Sequence, residues 1–152
     1  MVLEPVVLDT DTLSELSRGN AVVRERAFRY LARFGRLTIT AVTVFERLRG
    51  YRVALRDGKP FERQLRAFEV LVANSVVLPF DQEAASVAAD IWSASSRALR
   101  QQLGDILIAA VALSRQIPLV TRNRRDFERL TKASGLSLRL VDWAAGPQRS
   151  GR

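Results

Sequence analysis

The stretch Val6-Val7-Leu8-Asp9-Thr10-Asp11 decides how the rest of the chain is read. Three apolar residues make a short buried strand, and the chain then turns acidic. Thr12 and Glu15 follow with the Thr-x-x-Glu spacing of a capping box, which predicts a helix start directly after the strand. A carboxylate, Asp9, therefore stands at the carboxyl end of a central strand. In open α/β sheets that edge is where ligands bind.

Working outward, the same alternation repeats. Helical spacing of Val23, Ala27, Tyr30, Leu31 and Phe34 predicts a helix over 21–34, stopped by Gly35. Leu37-Thr38-Ile39 reads as a second strand, with Thr40 capping a helix from Ala41 to about Arg56. Asp57-Gly58-Lys59-Pro60 is a turn, and a helix follows over 61–73. Val76-Val77-Leu78 is a third strand, followed by one long helix from about Gln82 to Leu99. Gly104-Asp105 opens a helix that is apolar on all sides and hence buried. Ile117 to Val120 is a fourth strand, 123–133 a helix and 138–141 a last strand. Short apolar strands alternating with helices predict a parallel sheet covered on both faces, a three-layer α/β/α domain. Residues 1–143 make one domain, and the apolar-poor stretch 144–152 is expected to be a disordered tail.

Composition narrows the chemistry. The chain has 152 residues, no cysteine and no histidine. Disulfides, thiolate sites, imidazole ligands and histidine general bases are excluded, so hydrolysis would have to run on carboxylates, hydroxyls, Lys/Arg or an oxygen-held metal. The formal charge is +8, and of 24 basic residues only Lys59 and Lys132 are lysines. Arginine suits bidentate contact with phosphate, and a basic surface favours a polyanion; solvated helix faces explain the same count. No stretch reaches the ~18 apolar residues of a membrane span, and an intracellular, cytoplasmic protein is expected.

Four acids occupy positions that burial discourages: Asp9, Glu46, Asp105 and Asp126. In a parallel sheet every segment leaving a strand's carboxyl end starts from one edge, which puts Asp9 and Asp126 on the same rim. Glu46 reaches that rim only if its helix leans across it. Each also has a plain structural explanation. Asp9 or Asp11 caps a helix, Asp105 complements a helix N-terminus, Asp126 pairs with a capping Asn123, and Glu46 pairs with Arg49 or Arg52. Asp81, which also follows a strand and opens a helix, is not separable from the four by position.

The chain resembles the PIN-domain ribonucleases, specifically VapC-type toxins of bacterial toxin–antitoxin pairs. The matching stretches are Leu8-Asp9-Thr10-Asp11-x-x-Ser14-Glu15-Leu16, Ile39 to Leu48 around Glu46, Gly104-Asp105-Ile106-Leu107-Ile108-Ala109-Ala110-x-Ala112-Leu113, and Leu119-Val120-Thr121-Arg122-Asn123-x-x-Asp126-Phe127. They occur in family order and span residues 6 to 143. The resemblance selects Asp9, Glu46, Asp105 and Asp126 as an acidic quartet and leaves Asp81 as a cap. It implies a Mg²⁺- or Mn²⁺-dependent endoribonuclease that leaves 5′-phosphate and 3′-hydroxyl ends. Asp9 and Asp105 would be the principal ligands, helped by Glu46 and Asp126, with Thr121 and Asp11 supporting them from outside. Arg122, Arg124 and Arg125 are candidates for the RNA backbone. A VapB-type antitoxin and a homodimer are implied as partners. Arg47 departs from the apolar residue that the family often has there and is not expected to touch the chemistry. The competing readings are a PIN nuclease outside any toxin pair and a non-catalytic RNA-binding module.

Overall fold

The computed structural model describes residues 3–145. Among these residues five short strands are interspersed with eight helices: β1 (Val7–Leu8), α1 (Thr10–Ser17), α2 (Ala21–Phe34), β2 (Thr38–Thr40), α3 (Ala41–Arg56), α4 (Glu62–Ala73), β3 (Val76–Leu78), α5 (Gln82–Ala94), α6 (Arg97–Arg100), α7 (Leu103–Ser114), β4 (Leu119–Val120), α8 (Arg124–Ser134) and β5 (Leu140–Val141). All pairings are parallel. They form a ladder ordered β1-β4-β5 and a second pair β2-β3, with β2 lying beside β1. The expected α/β/α layering is present, with the sheet in two pieces.

The alternation of side chains along a strand sorts the core. Val7 and Leu119 point into a cluster with Ile91, Ile106, Ala109, Phe127 and Leu130, on the side of α5, α7 and α8. Leu8 and Val120 point the other way, to Leu13, Val23, Tyr30, Ile39, Phe68 and Trp143, on the side of α1, α2 and α4. The all-apolar α7 is buried from Ile106 to Ala112 apart from Leu107, packed under α5. Ala144 and Ala145 donate to the Asp142 carboxylate; the rest of the expected disordered tail, residues 146–152, lies outside the described residues.

Three local expectations are corrected. The first helix begins at Thr10, because Asp9 caps it and accepts from Thr12 N at 2.7 Å. Thr12 is therefore inside the helix, and its hydroxyl donates to Val120 O, tying α1 to β4. The expected long helix over 82–99 is two: Ser95 is extended, its hydroxyl bonds back to Ile91 O, and Ser96 caps α6 by accepting from Leu99 N. A side-chain oxygen that competes for backbone groups is what ends a helix here. Asn123 precedes α8 without a side-chain cap bond, and its amide nitrogen donates to Asp11.

Candidate active site

The carboxyl ends of β1, β2 and β4 release α1, α3 and the turn into α8 from one edge, and the N-terminus of α7 arrives at the same edge. Asp9 sits at the first of these exits and is 3% exposed. It does two jobs. One is the cap of α1; the other is to accept a hydrogen bond from the buried Thr121, the first residue past β4. Burial pushes the Asp9 carboxyl up from its ordinary value, opposed by the hydrogen bonds from Thr121 and Thr12, while the charge of Asp11 adds to the rise.

Glu46 does reach the rim. Thr10 Oγ1, at the start of α1, donates to Glu46 Oε1 at 2.8 Å and lies 3.0 Å from Thr43 Oγ1, which is itself 3.4 Å from Thr40 Oγ1. This string of hydroxyls pins α1 to the first turns of α3 and aims the Glu46 carboxylate toward α7. There, a methyl group built on Gly104 would stand 2.6 Å from Glu46 Oε2. Only a residue without a side chain leaves room for the carboxylate, and Asp105 follows it directly. Arg49 stands 3.9 Å from the same Glu46 oxygen, so the expected pairing exists at the outer margin of the site.

Asp105 is where the charges converge. Burial first, then the carboxylates of Glu46, Asp9, Asp11 and Asp126, push it up to about 7. Five acids from four separate segments thus bear on one point, and among the described residues Arg49, at the outer margin, is the one cation at ion-pair distance of any of them. Asp11, expected only as a supporting residue, is one of the five; Asn123 donates to it. Asp81 is not among the charges that act on Asp105. It caps α5, accepting from Ala84 N, and pairs with Arg115 at 3.0 Å.

The arginines after β4 divide. Arg122 is held at 3.1 Å by Glu15, which also takes Arg18 at 3.1 Å; these residues, with Asp11, Ser14 and Asn123, line a polar cavity of about 350 Å³ beside the acids. The hydrogen bond from Asn20 first, and then Arg122 and Arg18, hold Glu15 below the usual carboxylate range. Arg124 lies 4.0 Å from Glu128 along α8. Arg125 is exposed and has no ion pair among the described residues.

The donor set suits a hard divalent cation. All five acids and the neighbouring hydroxyls offer oxygen, and a carboxyl pushed to about 7 by burial and then by like charges is relieved by a cation. Among the described residues no three of these acids are arranged as a complete ligand set for one ion. Mg²⁺ does not require one, because it commonly takes one or two protein carboxylates and completes its shell with water and substrate phosphate. Thr10, Thr43 and Gly104 lie inside the stretches that carry the resemblance, but sequence reading gave them no role in the site; each works through a contact with a distant segment.

Comparison with known proteins identifies the family and the fold. The family model described as PIN domain matches residues 6–133. The chain is 33% identical over 141 residues to the tRNA(fMet)-specific endonuclease VapC of Shigella flexneri, covering 91% of this chain and 97% of that one. Its fold is similar to that of a chain in the crystal structure of DNA-bound VapBC from Salmonella typhimurium, with a TM-score of 0.70 and 27% identity over 93% of this chain and 99% of the other. VapBC-1 from nontypeable Haemophilus influenzae shares the fold with a TM-score of 0.68, at 24% identity over 93% of this chain and 100% of that one. Among the described residues no helix is long and apolar enough to cross a membrane.

Proposed function

The chain belongs to the PIN-domain family, and from that premise we propose that it is a VapC-type, Mg²⁺- or Mn²⁺-dependent endoribonuclease held in check by a VapB-type antitoxin. The observation that carries the reading is the convergence of Asp9, Asp11, Glu46 and Asp126 on Asp105. Carboxylates pressed together at this density destabilise a fold, and a bound divalent cation gives the arrangement a use.

Asp9 and Asp105 would hold the metal, with Glu46 and Asp126 contributing directly or through water. The ion, when bound, would acidify a water and neutralise charge on a phosphodiester. The chain's own residues do the positioning. Thr121 and the α1 backbone fix the Asp9 carboxylate. Thr10 fixes Glu46, and Gly104 leaves it room beside Asp105. Asn123 steadies Asp11. Arg122, just past β4, and Arg124 and Arg125, in the first turn of α8, would meet the RNA backbone. The reading includes a homodimer and cleavage that leaves a 5′-phosphate. The likeness to chains of VapBC structures supports an antitoxin partner.

Incubating the protein with structured RNA in Mg²⁺ or in EDTA tests the proposal. Cleavage in Mg²⁺ alone, abolished by Asp105→Asn, is the expected result. Cleavage that persists in the variant, or is absent in Mg²⁺, refutes it.

A further inference from the structure

Charges between α3 and α4 have no role in the site described above. Arg47 leaves α3 one residue after Glu46, and its guanidinium lies over the rings of Tyr51 and Phe68, 5.2 and 5.6 Å from their centroids. It donates to two neutral oxygens, Ser14 Oγ at 2.9 Å and Tyr51 Oη at 2.7 Å. Its Nε is buried without a hydrogen-bond partner. Among the described residues neither Arg47 nor Lys59, in the turn before α4, has a carboxylate at ion-pair distance. Glu46, Arg47, Gly50, Tyr51, Lys59 and Phe61 line one cavity of about 280 Å³. The Tyr51 and Phe61 rings are 6.3 Å apart and tilted by 43°.

This cavity combines two unneutralised cations with an aromatic wall, and it shares Glu46 with the acidic cluster. Cations for phosphate and rings for base stacking are how single-stranded nucleic acid is gripped without reading sequence. The geometry points to a nucleotide subsite here: Lys59 and Arg47 take the phosphate next to the one being cut, and Phe61 with Tyr51 stacks the attached base. The inference rests on the ribonuclease reading. An acidic peptide would also satisfy the cations, but Glu46, one of the carboxylates at which a phosphodiester would be cut, forms part of the cavity's wall, and that adjacency favours RNA.

The test uses the full chain carrying Asp105→Asn, so that RNA is held and not cut, with Mg²⁺ present. Fluorescence anisotropy reads the affinity for a labelled random-sequence decaribonucleotide and for an abasic ribose-phosphate chain of the same length. Adding Phe61→Leu should weaken the decaribonucleotide about fivefold or more and leave the abasic chain unchanged. Adding Lys59→Ala, at an exposed turn, should weaken both and flatten the salt dependence. Unchanged RNA affinity in both variants overturns the subsite, and so does a Phe61→Leu loss that is equal for the two probes. Either result stands whether or not a protein partner docks at this face. Failure of the ribonuclease reading is seen separately, as absence of Mg²⁺-dependent cleavage by the chain with Asp105 intact; cleavage together with unaffected variants overturns the subsite alone.

Discussion

Asp105→Asn should destroy the enzyme and stabilise the metal-free protein. Asp105 titrates at about 7 in the folded chain against 3.8 in the unfolded one, because it is partly buried and faces four other carboxylates. Between those values the folded protein keeps a proton that the unfolded chain has already released. Stability from this group is therefore full below pH 3.8 and falls as pH rises through about 7. At 1.36 kcal/mol per pH unit the whole difference is worth about 4 kcal/mol. Asp105 is open enough to solvent for screening to reduce this to about 2 kcal/mol. Asparagine keeps the shape and removes the titration, so at pH 8 in EDTA the variant should melt roughly 4–8 °C above the wild type. By pH 4 most of that gain should be gone. Adding Mg²⁺ at pH 8 should raise the wild type more than the variant, closing the gap. Differential scanning calorimetry of both proteins at the two pH values decides the matter. No gain at pH 8, or an equal gain at pH 4 and pH 8, would refute the claim that like charge and burial strain this carboxyl.

Gly104→Ala should lower Mg²⁺-dependent RNA cleavage about 100-fold by pushing Glu46 off its position. Its melting temperature should hold, because alanine favours the α7 helix by about 1 kcal/mol. Thr10→Val should cost about 1 kcal/mol of stability and at least tenfold in cleavage through loss of the bond to Glu46, and Thr10→Ser should recover most of both. Asp81→Ala should destabilise by about 1 kcal/mol, the worth of a helix cap, with cleavage per folded molecule unchanged; a loss of cleavage there would mean that the acidic site extends beyond the five residues. Mn²⁺ at about 100 times its dissociation constant should raise the stability of the wild type by about 2.7 kcal/mol, and no rise in melting temperature at millimolar Mn²⁺ would count against a metal site.

Much of this protein follows from its sequence alone. Runs such as Val6-Val7-Leu8 and Leu119-Val120 are too short and too apolar for anything but buried strands, and the helical spacing between them requires a covered parallel sheet. That places Asp9 at the sheet's ligand edge, and the absence of histidine and cysteine leaves carboxylates, hydroxyls, Lys/Arg or an oxygen-held metal to do any hydrolysis. Tertiary structure decided which acids meet. Asp81 and Asp9 look alike in the chain, since each follows a strand and caps a helix, yet Asp81 is neutralised by Arg115 whereas Asp9, among the described residues, has no ion pair and lies among other acids. Thr10 and Glu46 are 36 positions apart, and their hydrogen bond exists only because α1 packs across α3. The fit of Glu46 against Gly104 likewise depends on where α7 enters the rim. Local propensity acts over a few residues, whereas the electrostatic work that raises Asp105 depends on distances between segments that only packing sets. The Asp9 carboxylate shows both levels at once, a helix cap by its place in the chain and a metal-ligand candidate by its neighbours in space.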